Sequence, residues 1–428
     1  MIEIVPINKP LNAVVRIPGS KSITNRALPI AALADGTSRL TNVLFSDDSR
    51  FFMDCLKRLG FELFSDEQTQ VVEVVGTGGK LPVSSADLYV GNSGTSARFL
   101  TAFVALGQGT YTIDGNARMR ERPIRDLLDA LLRLGVDATD QSGTGCPPVV
   151  VHANGLRGGQ TRIVGRNSSQ YLSGLLLAAP YAKADVSIEV DGELASQPYI
   201  DITMEMMKQF GVHCAQQVDA FHIPGGQCYR ARAYAIEPDA SNASYFLASA
   251  AVCGGRVRVT DLTKDSLQGD AQFAHVLERM GCGLVWGTDY VEVTGPTDGV
   301  LRGIDVDMND IPDTAQTLAA IAPFAREAVT VRNVANMRIK ETDRIHAVVT
   351  ELRKLGVSVE EYTDGFRVEP CQQVQGGTVH TYDDHRMAMA FSLTGLRASG
   401  IFIEDPECVQ KTFPTYFDVL HDACHTSA

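Results

Sequence analysis

The residues from Pro18 to Arg26 put a glycine turn, a lysine, two serine hydroxyls and an arginine into nine positions: Pro18-Gly19-Ser20-Lys21-Ser22-Ile23-Thr24-Asn25-Arg26. Glycine lets backbone N–H groups approach a ligand, a hydroxyl caps a helix start, and the cations add full charge, so the segment reads as a phosphate or carboxylate cradle. A nucleotide-binding P-loop needs GxxxxGK[ST]. Here Ser20 separates Gly19 from Lys21, and no glycine stands five residues before Gly19, which disfavours nucleotide chemistry. Gly91-Asn92-Ser93-Gly94-Thr95-Ser96-Ala97-Arg98 offers a second close backbone approach. Arg118-Met119-Arg120-Glu121-Arg122 packs three arginines around one acid beside a helix start, where cations are unfavourable unless an anion joins them. Taken singly, each segment could also be a plain helix cap or a solvated charged turn.

Ser168-Ser169-Gln170 and Ser196-Gln197-Pro198-Tyr199 bring neutral hydrogen-bonding groups suited to a polyhydroxylated or phosphorylated ligand. Asn336-Met337-Arg338-Ile339-Lys340-Glu341-Thr342-Asp343-Arg344 mixes acids and bases as proton transfer beside an anion requires. Asp383-Asp384-His385-Arg386 does the same, and Asp313 lies alone in an apolar context. There is no GxSxG motif or other nucleophile set, and no dedicated metal site is expected.

The elements that must position these groups emerge when the chain is laid against itself. A small polar cluster, an Ala/Leu-rich helix, a strand and a second helix recur, with clusters opening at Ser20, Asn92, Ser168, Asp239, Pro312 and Asp384, at gaps of 72, 76, 71, 73 and 72 residues. The second helices end at Gly60, Gly135, Gly211, Gly281 and Gly356, with Cys424 in the sixth place, as expected of left-handed C′ glycines. Ile124, Leu127, Leu128, Leu131 and Leu132 form one predicted apolar stripe. The alternation of helix and strand predicts an α/β fold of six units, grouped three and three. Each cluster carries an N-cap residue: Ser20 or Ser22, Asn92 or Ser93, Ser168, Asp239 or Ser241, Asp313, and Asp384. Six helix N-termini converging on one cleft would give a locally positive interior.

That local charge matters because the whole chain of 428 residues is acidic, with a net charge of −13. Such a balance argues against non-specific nucleic-acid or membrane-surface binding. Nine scattered cysteines without CxxC fit a reducing, cytoplasmic compartment. The first residues read as a strand rather than a signal peptide, and no apolar run is long enough to span a membrane.

In order, the motifs PGSKSITNR, GNSGT, RMRERP, NSSQ, SQPYIDIT, DASNASYF, IPD, KETDR, DDHRMAM and KTFP resemble those of the 5-enolpyruvylshikimate-3-phosphate synthase family from end to end. The resemblance implies a two-domain inside-out α/β barrel of six βαβαββ repeats, with residues 1–20 and 240–428 in one domain and 21–239 in the other. It implies transfer of the enolpyruvyl group of phosphoenolpyruvate to the 5-hydroxyl of shikimate 3-phosphate, with phosphate released and no cofactor. Asp313 is then the base near the hydroxyl, and Glu341 and Lys21 are the proton-transfer candidates. Phosphoenolpyruvate contacts carried over are Lys21, Gly94, Arg122, Gln170, Arg344, His385, Arg386 and Lys411. Those for shikimate 3-phosphate are Ser22, Arg26, Ser168, Ser169, Gln170, Ser196, Tyr199, Asp313, Asn336 and Lys340. A monomer that opens and closes around its substrates, and inhibition by glyphosate at the Gly94 site, are further expectations. Phe99 and Met337 depart from residues common in the family. The other enolpyruvyl transferases, acting on UDP-N-acetylglucosamine, typically have Asn after the first-loop lysine, where this chain has Ser22. A scaffold protein that had lost catalysis would be expected to lack Lys21, Asp313 or Glu341, and all three are present.

Overall fold

The computed structural model describes residues 1–166 and 168–425, so Asn167 of the NSSQ motif lies outside the described residues. The chain divides into two compact units, Gly19–Ile236 and a second made of Met1–Pro18 with Glu237–Ala428. Each contains three small sheets among the described residues.

In the Gly19–Ile236 unit, Ser85–Tyr89 runs parallel to Gln108–Asp114, which pairs antiparallel with Val149–Asn154, and that strand with Asp137–Asp140. Gly159–Val164, Val186–Asp191, Ala220–Ile223 and Ala215–Gln217 repeat the order. The remaining sheet keeps it too, but its leading strand is Ala233–Ala235, parallel to Asp35–Thr41. In the other unit Leu11–Val15 leads, parallel to Gly255–Thr260. The mixed α/β fold of repeated four-stranded sheets therefore agrees with the expected repeat, and both units close one sheet with a strand distant in sequence. The last sheet departs from the pattern: Ile401–Ile403 pairs parallel with Gly377–Val379 and antiparallel with Ile2–Ile4.

The two helices of a repeat differ in kind. The first, such as Gly94–Val104 or His385–Gly395, is buried on every side. The second, such as Asp47–Arg58 or Arg125–Arg133, has one apolar face and a charged one, the pattern of a helix with one face in water. Leu132 departs from its predicted stripe and is 62% exposed, while Ile124, Leu127, Leu128 and Leu131 are buried. At about 100° per residue, Leu132 lies about 140° around the helix from Leu127, past the edge of the buried face.

Helix starts are capped where the sequence puts short polar side chains. Ser20, Ser93, Ser168, Asp239 and Asp384 accept from the N–H groups of Ile23, Ser96, Gln170, Asn242 and Arg386. Asp313 is not a cap. It sits in the 3-10 turn Pro312–Thr314, and two arginines engage its carboxylate instead. Gly60, Gly135, Gly211, Gly281 and Gly356 all have the expected positive φ, from 78° to 101°.

Gly19 is required for a different reason. A Cβ there would lie 1.9 Å from the Asn42 carbonyl oxygen. Asn42 is itself left-handed, with φ 54°, and its amide donates to the Ile236 carbonyl at 2.9 Å. One residue thus holds both ends of this unit. Gly19→Ala should lower folding stability by roughly 3 kcal/mol, since backbone cannot yield as a side-chain tip can. Gly143→Ala, which meets nothing within 4 Å at φ +69°, should cost about 1 kcal/mol. Thermal denaturation of the two variants checks the difference, and equal melting shifts would contradict it.

Candidate active site

Each unit gathers part of the predicted residue set, and the two parts differ in charge. In the Gly19–Ile236 unit, capping by Ser20 starts the Lys21–Leu33 helix and fixes Lys21 at its first turn. Lys21 Nζ stands 4.0 Å from Asp48 Oδ2, with both side chains largely buried. One turn on, Arg26 is buried and donates to Thr203 Oγ1 at 2.7 Å, Ser173 Oγ at 3.2 Å, and the carbonyls of Ser22 and Tyr199 at 2.8 and 3.0 Å. All four acceptors are neutral, and burial pulls its pKa down to about 10. Phe99 packs its ring 5.2 Å from this guanidinium, so that departure from the family touches a predicted substrate ligand.

Two more guanidiniums flank Gly94. A Cβ at Gly94 would lie 2.4 Å from Arg122 Nη2 and 2.7 Å from Arg98 Nη1. Arg98 donates to the carbonyls of Gly94 and Pro123, and Arg122 to the carbonyl and side-chain oxygens of Asn92. Of the arginines in the predicted cluster, Arg118 and Arg120 face outward and pair with Glu121 and Asp114, leaving Arg122 as the inward cation. Gln170, in the first turn above the Ser168 cap, donates to Thr95 Oγ1 at 3.2 Å and so joins the two helix starts. Ser169 and Ser196 are buried, Ser196 in a left-handed conformation before the helix that carries Tyr199. Buried cations with neutral acceptors beside helix N-termini create a field that favours an anion.

In the other unit the charges alternate. Arg344, at 1% exposure, donates to Asp384 Oδ2 at 2.7 Å, to Glu341 Oε2 at 2.9 Å and to Asp313 Oδ1 at 3.1 Å. Burial opposes its charge, but Asp384, Glu341 and Asp313 outweigh that and raise its pKa. Arg386 donates to the second Asp313 oxygen at 2.7 Å and to the Tyr245 hydroxyl at 3.3 Å. Lys411 Nζ lies 3.7 Å from Glu341 Oε1. His385 is fully buried, its Nδ1 3.5 Å from Asp384. The network therefore unites Asp313, Glu341, Arg344, His385, Arg386 and Lys411. Asn336 is buried in the 3-10 turn Ala335–Ile339 and Lys340 follows it. Met337 of that turn packs in the core. Such an arrangement can hold carboxylates in fixed orientation beside cations, the condition for moving protons next to a bound anion.

Sequence reasoning passed over Asp48, the partner of Lys21, and Asp270. The signal for Asp48 was its place in the second-helix start, where acids are common. His421 and His425 form an HxxxH pair around Asp422, which the expectation of no metal site overlooked. Their rings stack at 4.2 Å, and among the described residues no group of three His, Cys, Asp or Glu could hold a metal ion.

Asp270 is buried, accepts a hydrogen bond from the Ser241 hydroxyl, and has its pKa pushed up to about 7 by burial and then by the charge of Asp313. Asp239 adds to the rise, and Ser241 and Arg386 oppose it. Between its ordinary value of 3.8 and about 7 the folded chain holds a proton that the unfolded chain has lost. Asp270 therefore erodes stability as pH rises through that window. Asp270→Asn should match the parent near pH 4 and become the more stable of the two toward about pH 7. Melting curves across this range test it, and a pH-independent difference would refute it.

A family model described as EPSP synthase (3-phosphoshikimate 1-carboxyvinyltransferase) matches residues 5–420. A 3-phosphoshikimate 1-carboxyvinyltransferase of Trichormus variabilis is 53% identical, with 97% of each chain covered. One from a Sulfurovum species is 50% identical over 95% of each. Among solved structures, an EPSP synthase from Acinetobacter baumannii superposes with a TM-score of 0.82 at 26% identity, covering 98% of this chain and 97% of that one. With nearly its whole length matched by the family, and with the family's motif residues gathered into these two charged clusters, the chain belongs to the EPSP synthases.

Proposed function

We propose that this chain joins the enolpyruvyl group of phosphoenolpyruvate to the 5-hydroxyl of shikimate 3-phosphate and releases inorganic phosphate, a step of the shikimate route to the aromatic amino acids. The observation that carries the residue assignment is the Arg344 network, which fixes Asp313 and Glu341 beside cations in a buried setting. In the addition step the 5-hydroxyl oxygen attacks C2 of phosphoenolpyruvate, its proton passes to a base, and C3 takes a proton to become methyl. In the elimination step C3 gives up a proton and the C2–O bond to phosphate breaks. Phosphorus is never attacked, so lysine and arginine suffice where phosphoryl transfer would use magnesium.

Asp313 is the base for the hydroxyl, both its oxygens oriented by Arg344 and Arg386. Glu341 and Lys21 are the groups proposed to exchange the C3 proton. Lys21, Gly94, Arg122, Gln170, Arg344, His385, Arg386 and Lys411 form the proposed phosphoenolpyruvate set. Ser22, Arg26, Ser168, Ser169, Gln170, Ser196 and Tyr199, with Asp313, Asn336 and Lys340, form that for shikimate 3-phosphate. Their cationic character suits substrates carrying phosphate and carboxylate. We place the enzyme in the cytoplasm as a monomer. Thiols such as Cys55 and Cys282, pushed up to about 12 by burial, are unreactive small core groups rather than disulfide partners, and no helix among the described residues is long and apolar enough to cross a membrane. Glyphosate, an anion, is proposed to compete with phosphoenolpyruvate near Gly94, Arg122 and Lys21.

Phosphate release in the presence of phosphoenolpyruvate should require shikimate 3-phosphate, with UDP-N-acetylglucosamine inert in its place. Asp313→Ala and Lys21→Ala should each reduce kcat by at least about 100-fold. Turnover with the UDP-sugar alone would overturn the reading. Gly94→Ala should push the Arg122 guanidinium aside and raise the KM for phosphoenolpyruvate about tenfold, weakening glyphosate in parallel, since a displaced charge loses its hydrogen-bond geometry. Unchanged phosphoenolpyruvate and glyphosate affinities would remove Gly94 and Arg122 from the set.

A further inference from the structure

The segment from His380 to Asp384 leads directly into His385 and Arg386, and it contains two consecutive non-glycine residues in the left-handed region, Tyr382 at φ 57° and Asp383 at φ 54°. Such a conformation is unfavourable for side chains with a Cβ and persists only where the surroundings enforce it. The enforcement comes from one helix, Arg344–Lys354. Its first residue, Arg344, grips Asp384 with two N–H groups at 2.7 and 3.2 Å. Seven positions on, and hence on the same face of the helix, stands Glu351, fully buried. Glu351 Oε1 accepts from the Tyr382 hydroxyl at 2.6 Å and from Lys354 Nζ at 2.7 Å, and Oε2 accepts from the His380 backbone N–H at 3.1 Å. The Tyr382 ring also meets the His380 ring edge-on at 4.5 Å. A buried carboxylate with bonded donors on both oxygens is a fixed strut, and it touches none of the residues assigned to substrate.

We propose that Glu351, through the Tyr382 hydroxyl and the His380 N–H, is a positioning residue that holds the left-handed Tyr382–Asp383 turn and thereby aims His385 and Arg386 at phosphoenolpyruvate. The inference rests on the substrate assignment proposed above. Arg344 and Glu351 clamp the two ends of a five-residue turn against one rigid helix, so the direction of the His385–Gly395 helix start follows from the geometry of the Arg344–Lys354 helix. Burial, followed by the neighbouring carboxylate, raises the Tyr382 phenol above its ordinary value, so it remains a donor throughout the working pH range.

Steady-state kinetics with each substrate varied in turn test this. Tyr382→Phe removes one hydroxyl and Glu351→Gln one charge. The expected result is a rise of about fivefold or more in the KM for phosphoenolpyruvate, with the KM for shikimate 3-phosphate within about twofold of the parent. Adding Asp383→Gly to Tyr382→Phe should recover most of that loss, because glycine adopts the left-handed turn without a strut. A lowered melting temperature with unchanged phosphoenolpyruvate KM, a parallel rise in both KM values, or no recovery with glycine would each overturn the proposal. If Glu351→Gln does not fold, the Tyr382→Phe pair decides alone. Arg386→Ala is run alongside. Should it leave phosphoenolpyruvate KM unchanged, the substrate assignment fails and this inference with it. Should it raise that KM while Tyr382→Phe does not, only the positioning role is lost.

Discussion

A guanidinium sealed from water is the constraint on which the charged cluster of the Glu237–Ala428 segment depends. Arg344 gathers carboxylates from three places in the sequence: the 3-10 turn of Asp313, the neighbouring Glu341, and the cap of the last buried helix, Asp384. Desolvating one cation among three anions is tolerable only with full hydrogen bonding, and removing the cation would strand the acids at a cost of about 3–5 kcal/mol. Because its planar fork fixes directions as well as distances, lysine could not do the same work. The position of Asp313, the proposed base, is thus a consequence of packing around Arg344 rather than of its own turn.

The Gly19–Ile236 unit solves the opposite problem. Arg26 and Arg98 are buried against hydroxyls and carbonyls, partners that satisfy N–H geometry and leave the charge in place. A net acidic protein can therefore recruit polyanions, because the charge that matters is set over a few ångströms by low-dielectric surroundings and not by the sum over the surface. One unit buries its guanidiniums against neutral acceptors, the other against carboxylates.

Features decided within a few residues were legible in the sequence. The five side-chain caps and the left-handed glycines follow from local stereochemistry, and with them came the phase of the repeat and the location of Lys21, Gly94 and Gln170. What depends on distant partners was not. Asp48 reads as an ordinary acid at a helix start, and only the fold brings it to Lys21. Glu351 reads as half of a surface pair with Lys354, three residues on, and nothing local marks it as buried. Asp313 looked like a cap because the other five starts have one, and two arginines 31 and 73 residues away claimed it instead. Nor could the parallel pairing of Leu11–Val15 with Gly255–Thr260 be read, since alternating apolar residues specify a face and not a neighbour.

That last pairing bears on how the chain is made. During synthesis the Leu11–Val15 strand emerges ahead of the whole Gly19–Ile236 unit, yet its sheet partner begins at Gly255. At the ~5–20 residues per second of translation, it must wait roughly 12–50 s with an unpaired edge and one apolar face. Meanwhile everything the Gly19–Ile236 unit needs, including its own late strand Ala233–Ala235, has already left the ribosome. The inserted unit can therefore be complete while the unit that encloses it in sequence is still half-made. The Leu11–Val15 strand is then made before the whole Gly19–Ile236 unit and yet finds its place after it.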